Sequence, residues 1–465
     1  MNPISDRVQP PGNATSSVNP NFSSKQGFSH FMLKEIHQQP EAIQTCLTSY
    51  LGRQELEGRS QKAEDEEGGR DIQNSKFGSA DSPEAKIPFG STQGEQNSPT
   101  PQPPLANSPL PIPHRQFPIA DDQLPVINQS PIFNLQSLTF PLNEIHIIAS
   151  GTSRHAGLVA QFWLEQLAHI PTRIRSGSEF LEAPLPMTVH TLTVGVTQSG
   201  ETADTLQALE LEKQRRAVYA LEYQSRLLGI TNQPTSSLAN LVDAVLPTLA
   251  GEEVGVAATK TFTAQLVVFY LLALELASHR QTLDRDRLTH ALTALHQLPV
   301  SIHQVLQQEA AVQAVAQRLV EAQTCILLGR GINRAIALEG ALKLKEATYL
   351  HAEGYAAGEF MHGPIALLDE RVPVIAIAPA GATQSAILAN ALKARSHGSP
   401  LIGIVTANSA SETAEIFDQQ IVLPPIDEML SPILTVIPLQ LLAYHLAVLK
   451  GLDVDRPRNI TKTLV

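Results

Sequence analysis

The stretch IHIIASGTSRHAGLVAQFWLEQL, residues 145–167, changes character in its middle. Its opening is a short apolar run of the kind carried by a strand buried on both faces, and its second half spaces apolar residues as one face of a helix does. Between them lies a polar turn containing Gly151, Thr152 and Ser153, which neither element needs for packing. Strand, turn and helix make half of a βαβ unit. The alternation continues from Asn143 onward, with the strand-like runs EIHIIAS, TLTVGVT and LLGIT separated by amphipathic helical stretches. This pattern predicts an α/β fold with a parallel sheet. A block of helices is expected from Ala258 to about Val320.

The pattern then restarts. CILLGRGINRAIALEGALKLKEA, 325–347, aligns with 145–167, and VIAIAPAGATQSA, 374–386, aligns with TVGVTQSGETADT, 193–205. Self-similarity of this length predicts two related α/β units. They differ chemically, because the second copy lacks the Ser-Gly-Glu-Thr tip. The glycines of GRGINRA do not complete a dinucleotide fingerprint, whose third glycine is missing. Neither a P-loop nor a metal-ligand cluster is present, so no cofactor and no metal are expected.

At 465 residues the chain has room for two or three domains. A hydrophobic share of 43% and a charged share of 17% suit a soluble globular protein. The net charge of -12 argues against a nucleic-acid partner but leaves room for a small phosphorylated ligand. Cys46 and Cys325 cannot build a disulfide framework, and Cys325 opens the apolar run CILLG as a buried thiol would. The N-terminus, MNPISDRVQPPGNATSS, has no apolar core of a signal peptide. The apolar run Leu266–Ala277 is too short to span a bilayer and carries Glu275, so a buried helix is expected there. These features predict a cytoplasmic protein with no membrane partner.

Composition also divides the chain before the first α/β unit. Residues 1–24 are polar and patternless, and disorder is expected. Residues 25–55 regain apolar spacing and read as one or two helices broken near Pro40. Residues 56–130 are rich in Pro, Ser and Gln, as in SPTPQPPLANSPLPIPH, and predict a disordered insertion; a proline-rich docking motif is the other reading.

The chemistry concentrates in a few places. VTQSGETADTL, 196–206, sets Thr197, Gln198, Ser199, Gly200 and Thr202 at a strand-to-helix junction. A helix N-terminus has free N–H groups and a partial positive charge, and nearby hydroxyls can complete a shell around phosphate oxygens. Thr152 and Ser153 stand at a second such junction. In doubly wound sheets ligands collect at the carboxyl ends of strands, so both turns can converge on one phosphate. Simple N-capping is the alternative. In the second unit Glu339, Lys343 and Glu346 fall on one helix face, either as a solvated ion-pair ladder or as a proton shuttle in a cleft. His362, in the turn MHGP, is a surface residue or a functional one. The tail GLDVDRPRNITKTLV carries Asp453, Asp455, Arg456, Arg458, Asn459 and Lys462, and chain ends fray unless tied down.

The motifs SGETADTL, ALEGALKLKE, HAEGYAAGEFMHGP, PLQLLAYHLAVLKG and DVDRPRN together resemble the isomerase part of glucosamine-6-phosphate synthase, the glutamine–fructose-6-phosphate aminotransferase family. The likeness covers about 137–465, and GFSHFMLKEIHQQPEAIQTCL is similar to the family's lead-in. It implies two tandem sugar isomerase (SIS) domains of flavodoxin-like form, 137–290 and 310–455, followed by a catalytic tail, 456–465. The first domain would hold the sugar phosphate on Thr152, Ser153, Thr197, Gln198, Ser199 and Thr202, with threonine at 197 where the family has serine. Glu346 would move the proton between C1 and C2 beside Lys343. His362 would serve ring opening across a homodimer interface, and Lys462 would form an imine with the open-chain sugar. Two departures stand out. Ala258 replaces a common serine, and the family's glutaminase half, with its cysteine after Met1, has no counterpart beginning at Asn2.

The resemblance therefore implies an amino-sugar-phosphate isomerase. It would interconvert fructose 6-phosphate plus ammonia, or nitrogen from a separate glutaminase subunit, and glucosamine 6-phosphate. A stand-alone deaminase or deglycase and a non-catalytic sugar-phosphate sensor remain the alternatives. Glu346, Lys343 and Lys462 occurring together favour catalysis, since a sensor needs only the phosphate loop.

Overall fold

The computed structural model describes residues 25–52, 141–219 and 225–462. The segments 1–24 and 56–130, for which disorder is expected, lie outside the described residues. Among the helices, α1 (Phe31–His37) and α2 (Gln39–Leu51) form the lead-in, with Pro40 accommodated in the first turn of α2. The longer helices that follow are α3 (Gly151–Gln166), α4 (Ala203–Tyr219), α5 (Lys260–His279), α6 (Arg285–Leu306), α7 (Glu309–Leu319), α8 (Arg334–Thr348), α9 (Gln384–Arg395) and α10 (Ser431–Leu449).

Two sheets carry the architecture. Strands β1 (Glu144–Ala149), β2 (Thr172–Arg175), β3 (Thr191–Val196), β4 (Leu227–Thr231) and β5 (Ala244–Pro247) pair in the order β2-β1-β3-β4-β5. Strands β6 (Thr324–Gly329), β7 (His351–Ala356), β8 (Val374–Ala378), β9 (Leu401–Thr406) and β10 (Gln419–Leu423) pair in the order β7-β6-β8-β9-β10. Every pairing is parallel. The second order is the first repeated strand for strand, so the internal repeat seen in sequence is a repeat of topology. Both are flavodoxin-like doubly wound sheets, in which the chain reverses direction between the first and third strands and opens a crevice there. The strands β3, β4 and β9 are buried along their whole length, with only small residues such as Thr193 and Gly195 between the larger apolar ones.

One core runs from the first sheet into the second. It passes through α5, buried at every position from Lys260 to Ala277, and α10, buried from Ser431 to Ala447. A helix that is apolar all round must be enclosed or cross a membrane. Both these helices are long and apolar enough to span a bilayer, yet the apolar stretches are 94% and 89% buried inside the protein. The run Leu266–Ala277 is therefore part of a buried helix, longer than the run itself. Trp163 of α3 ties the two halves together: wholly buried, it meets the Tyr270 ring edge-on at 5.0 Å and donates to the Met429 carbonyl at 2.8 Å. Burial of a ring this size is worth about 3 kcal/mol.

Candidate active site

The crevice of the first sheet lies between the ends of β1 and β3. There the turn before α3 and the loop before α4 enclose a cavity of about 120 Å³. From the α3 side it is lined by Ser150, Thr152 and Ser153, and from the α4 side by Thr197, Gln198, Ser199 and Thr202. Six hydroxyl or amide residues expected from sequence to hold a phosphate, Thr152, Ser153, Thr197, Gln198, Ser199 and Thr202, thus line one cavity. Ser150 precedes α3 in extended conformation and makes no side-chain cap, so no side chain of its own covers the free N–H groups at that helix start.

The loop is held in shape from behind. Thr197 Oγ1 and Thr202 Oγ1 are 2.6 Å apart, Ser199 Oγ accepts from the Glu201 N–H at 3.1 Å, and the Asn232 N–H donates to the Gln198 carbonyl at 3.1 Å. Gly200 sits at φ +71°, and a Cβ there would lie 1.9 Å from Ser236 Oγ, so only glycine permits this approach. Ser153 Oγ accepts from Gln265 Nε2 of α5 at 3.0 Å. Val256, Ala258 and Lys462 complete the lining. Ala258 lines the cavity directly, so the serine-to-alanine departure removes a hydroxyl from its surface.

The second unit is bonded to the cavity lining at Thr152. Lys343 of α8 donates to Thr152 Oγ1 at 3.1 Å and to Glu346 Oε2 at 2.5 Å, and it lies 3.4 Å from Glu339 Oε1. Glu339 also accepts from Thr152 Oγ1 at 3.1 Å and shares a hydrogen bond with His155 Nδ1 at 2.7 Å. The stripe is no solvated ladder. Glu339 and Lys343 are fully enclosed, and Glu346 keeps a side-chain exposure of 22%. Burial on its own favours a neutral amine at Lys343, but Glu346 and Glu339 outweigh it and hold the ammonium well above the usual lysine range. Burial likewise opposes charge on Glu339, and Lys343, His155 and Thr152 overcome it and hold the carboxyl below its usual range.

The tail is tied down. Asp455 accepts from the Phe31 and Met32 N–H groups at 3.0 and 2.9 Å, capping α1. The Arg458 guanidinium lies over the Tyr349 ring at 4.1 Å, and the Arg458 backbone N–H donates to the Tyr349 hydroxyl at 2.8 Å. Lys462 donates to Glu253 Oε2 at 2.8 Å and to the Gly255 carbonyl at 2.5 Å. His362 is not brought to the cavity; it is exposed on the turn after β7, where its N–H donates to the Glu359 carbonyl. Glu253, His155 and Glu35 are the neighbours that sequence reasoning did not select. Their signal was weak, since each carries an acidic or imidazole group whose partners lie far along the chain.

The second sheet has an equivalent loop after β8, and its own side chain fills it. Glu428 accepts from the Ala382 N–H at 2.7 Å, the Thr383 N–H at 3.3 Å and Thr383 Oγ1 at 2.8 Å. An internal carboxylate occupies the place that hydroxyls leave open in the first unit. Among the described residues no group of three or more His, Cys, Asp or Glu side chains is disposed to hold a metal ion.

A family model described as SIS domain matches residues 141–275 and 318–450, the two sheet-bearing regions. The glutamine–fructose-6-phosphate aminotransferase (isomerizing) of Synechocystis sp. is 46% identical over 441 residues, covering 95% of this chain and 60% of that protein. The protein of the same name from Thermosynechococcus vestitus is 47% identical over 451 residues, covering 97% of this chain and 61% of its own length. The chain thus spans about 60% of the length of the curated relatives it matches. The solved C-terminal domain of glucosamine-fructose-6-phosphate aminotransferase from Francisella tularensis superposes with a TM-score of 0.72 at 30% identity, covering 94% of this chain and 100% of that one. Glucosamine-6-phosphate deaminase from Thermotoga maritima, with a TM-score of 0.56 at 23% identity over 71% of this chain and 92% of its own, shares the fold. By these matches, and by a topology repeated strand for strand, the chain belongs to the SIS domain family and carries the domain twice.

Proposed function

We propose that this chain is the isomerase of an amino-sugar-phosphate enzyme. It interconverts fructose 6-phosphate plus ammonia, or nitrogen delivered by a glutaminase domain or subunit, and glucosamine 6-phosphate. The observation that carries this reading is the convergence on one cavity. A hydroxyl-lined pocket has the primary amine of the tail on its lining, and the Lys343–Glu346 pair of the other unit is hydrogen-bonded to Thr152 of that lining.

In this reading Ser199, Thr197, Thr202, Gln198 and Ser153 bind the phosphate with the N–H groups of the adjoining helix starts. The Lys462 amine, once deprotonated, attacks the C2 carbonyl and expels water to leave an imine, and ammonia then adds to that carbon and expels the Lys462 amine, leaving the nitrogen of ammonia on C2. Glu346 takes the proton from one of C1 and C2 and returns it to the other. Lys343 is a permanent cation and stabilises the developing negative charge rather than acting as a base. Release of ammonia from glucosamine 6-phosphate uses the same groups in reverse. His362, exposed and away from this cavity, serves ring opening in the cavity of a second copy, and the active form is a homodimer. The free, buried thiols of Cys46 and Cys325 are compatible with a cytoplasmic setting.

The test is direct. Purified chain is incubated with fructose 6-phosphate and either ammonium or glutamine, and glucosamine 6-phosphate is measured in both directions. Turnover with ammonium supports the reading. Tight sugar-phosphate binding with no turnover under any condition replaces it with a sensor.

A further inference from the structure

The tail amine is held by a loop, and that loop is held from outside both α/β units. Lys462 donates to Glu253 and to the Gly255 carbonyl. Glu253 is anchored in turn by the Thr259 N–H at 2.9 Å, the Thr261 N–H at 3.2 Å and Thr261 Oγ1 at 2.7 Å. The next residues meet Glu35 of α1, which is 1% exposed. Glu35 Oε1 accepts from the Val254 N–H at 2.5 Å, and its two oxygens lie 3.3 and 3.2 Å from the Gly255 nitrogen. Consecutive N–H groups aimed at one carboxylate form a nest, which fixes the orientation of the peptide planes around it. A Cβ on Gly255 would lie 2.8 Å from Glu35 Oε2, so a side chain there would push the carboxylate back from the loop. The same loop continues into Val256 and Ala258 on the cavity wall. Val256 is bonded through its N–H to the Asp455 carbonyl at 3.2 Å, and Asp455 caps α1.

We infer that Glu35 is a positioning residue for Lys462: by clamping Val254 and Gly255 it sets the loop that delivers the tail amine to the cavity rim. The lead-in helix is then a working part of the site. The inference rests on the proposed role of Lys462 as the imine-forming amine. A carboxyl here is unfavourable in itself. Burial, and then the neighbouring Glu253 charge, push its pKa up to about 7, against the pull of the Val254 N–H, Lys462 and Lys260. Titratable groups kept in such surroundings are enriched at functional sites. Lys260, whose amine donates to Gln38 Oε1 at 2.9 Å, supplies the remaining positive charge on that side.

The full chain is incubated with fructose 6-phosphate and cyanoborohydride, which reduces an imine to a stable secondary amine, and the Lys462 peptide is followed by mass spectrometry. Fold and phosphate pocket are followed by the rise in melting temperature that inorganic phosphate gives. Glu35→Ala is expected to slow Lys462 labelling by about tenfold or more while the phosphate effect persists. Glu35→Gln, whose amide oxygen still accepts from the Val254 N–H, is expected to stay within about threefold of wild type. Gly255→Ala pushes the same contact apart from the other side, should slow labelling as well, and decides the matter alone if Glu35→Ala does not fold. Labelling at the wild-type rate in Glu35→Ala, or in Gly255→Ala where that variant decides, overturns the inference. So does labelling that falls in parallel with the phosphate effect. Absence of labelling in the wild-type chain overturns the role of Lys462 itself, and this inference with it.

Discussion

Lys343 and Thr152 meet at 3.1 Å, a hydrogen bond from the α8 helix of one SIS domain to the cavity wall of the other. Thr152 also donates to Glu339 Oε1, so one hydroxyl stands between a buried cation, a buried carboxylate and the cavity. Thr152→Val keeps the shape and removes the hydroxyl, leaving two charged groups each short of a partner. A hydrogen bond to a charged group is worth about 1.5–3 kcal/mol. Turnover of the sugar phosphate is expected to fall about 10- to 100-fold, with KM moving less than about threefold. Steady-state kinetics separates these, and a rise in KM at unchanged kcat would place Thr152 in ground-state binding instead.

Ser199 tests the other end of the ligand. The residue lines the cavity, and among the described residues its hydroxyl oxygen accepts from the Glu201 N–H, which leaves its own hydrogen to be given to a phosphate oxygen. Ser199→Ala is expected to weaken sugar-phosphate binding about tenfold, with kcat little changed, because a phosphate contact is made equally in ground and transition states. Calorimetric titration with fructose 6-phosphate checks it. Unaltered affinity would mean that the phosphate sits elsewhere.

Glu346 is bonded to Lys343 and partly open, the arrangement of a carboxylate that meets substrate. Glu346→Gln preserves the size and an acceptor for Lys343 but cannot take a proton. Sugar-phosphate affinity is expected to hold within about threefold, while exchange of the substrate's C1 and C2 hydrogens with deuterated solvent drops by about 10²- to 10⁴-fold. NMR follows the exchange directly. Exchange persisting at the wild-type rate would remove Glu346 from the proton transfer.

How much of this was legible in the sequence follows from the distances over which partners act. The strands are legible because residues such as Leu192, Val194 and Val196 recur at every second position on one buried face, with only small residues between them. The anion loop is legible because Thr197, Ser199 and Thr202 are too polar and small to be packing residues at a strand end. The stripe Glu339–Lys343–Glu346 is legible as a stripe, through helical spacing, but its burial is not. That depends on α8 packing beside α3, which brings His155 and Thr152 onto Glu339 from 184 and 187 residues away. The Glu253–Lys462 and Glu35–Val254 contacts join residues 209 and 219 apart, and no local pattern encodes them. Glu428 is hidden for the same reason: it reads as one more surface acid, and only the fold seats it in the second loop.

The Glu35 carboxyl carries a signature in stability as well. Burial and the adjacent Glu253 charge raise it from an ordinary 4.5 to about 7. The folded chain therefore keeps this proton at pH values where the unfolded chain has lost it. The resulting stability is fully present below about pH 4.5 and is lost as pH rises through about 7, a swing of about 3 kcal/mol. Glu253 and Glu339 are depressed carboxyls and tilt the curve the other way, contributing stability above the ordinary range that is lost in acid. Their pull is present in both proteins of a comparison, so the difference between wild type and Glu35→Gln reports Glu35 together with its coupling to Glu253. Since glutamine does not titrate, the variant is expected to gain on wild type by about 3 kcal/mol between pH 4.5 and pH 8. Urea denaturation across that range measures it. A constant difference would show that Glu35 titrates at its ordinary value, and that the loop over Val254 and Gly255 is open to water.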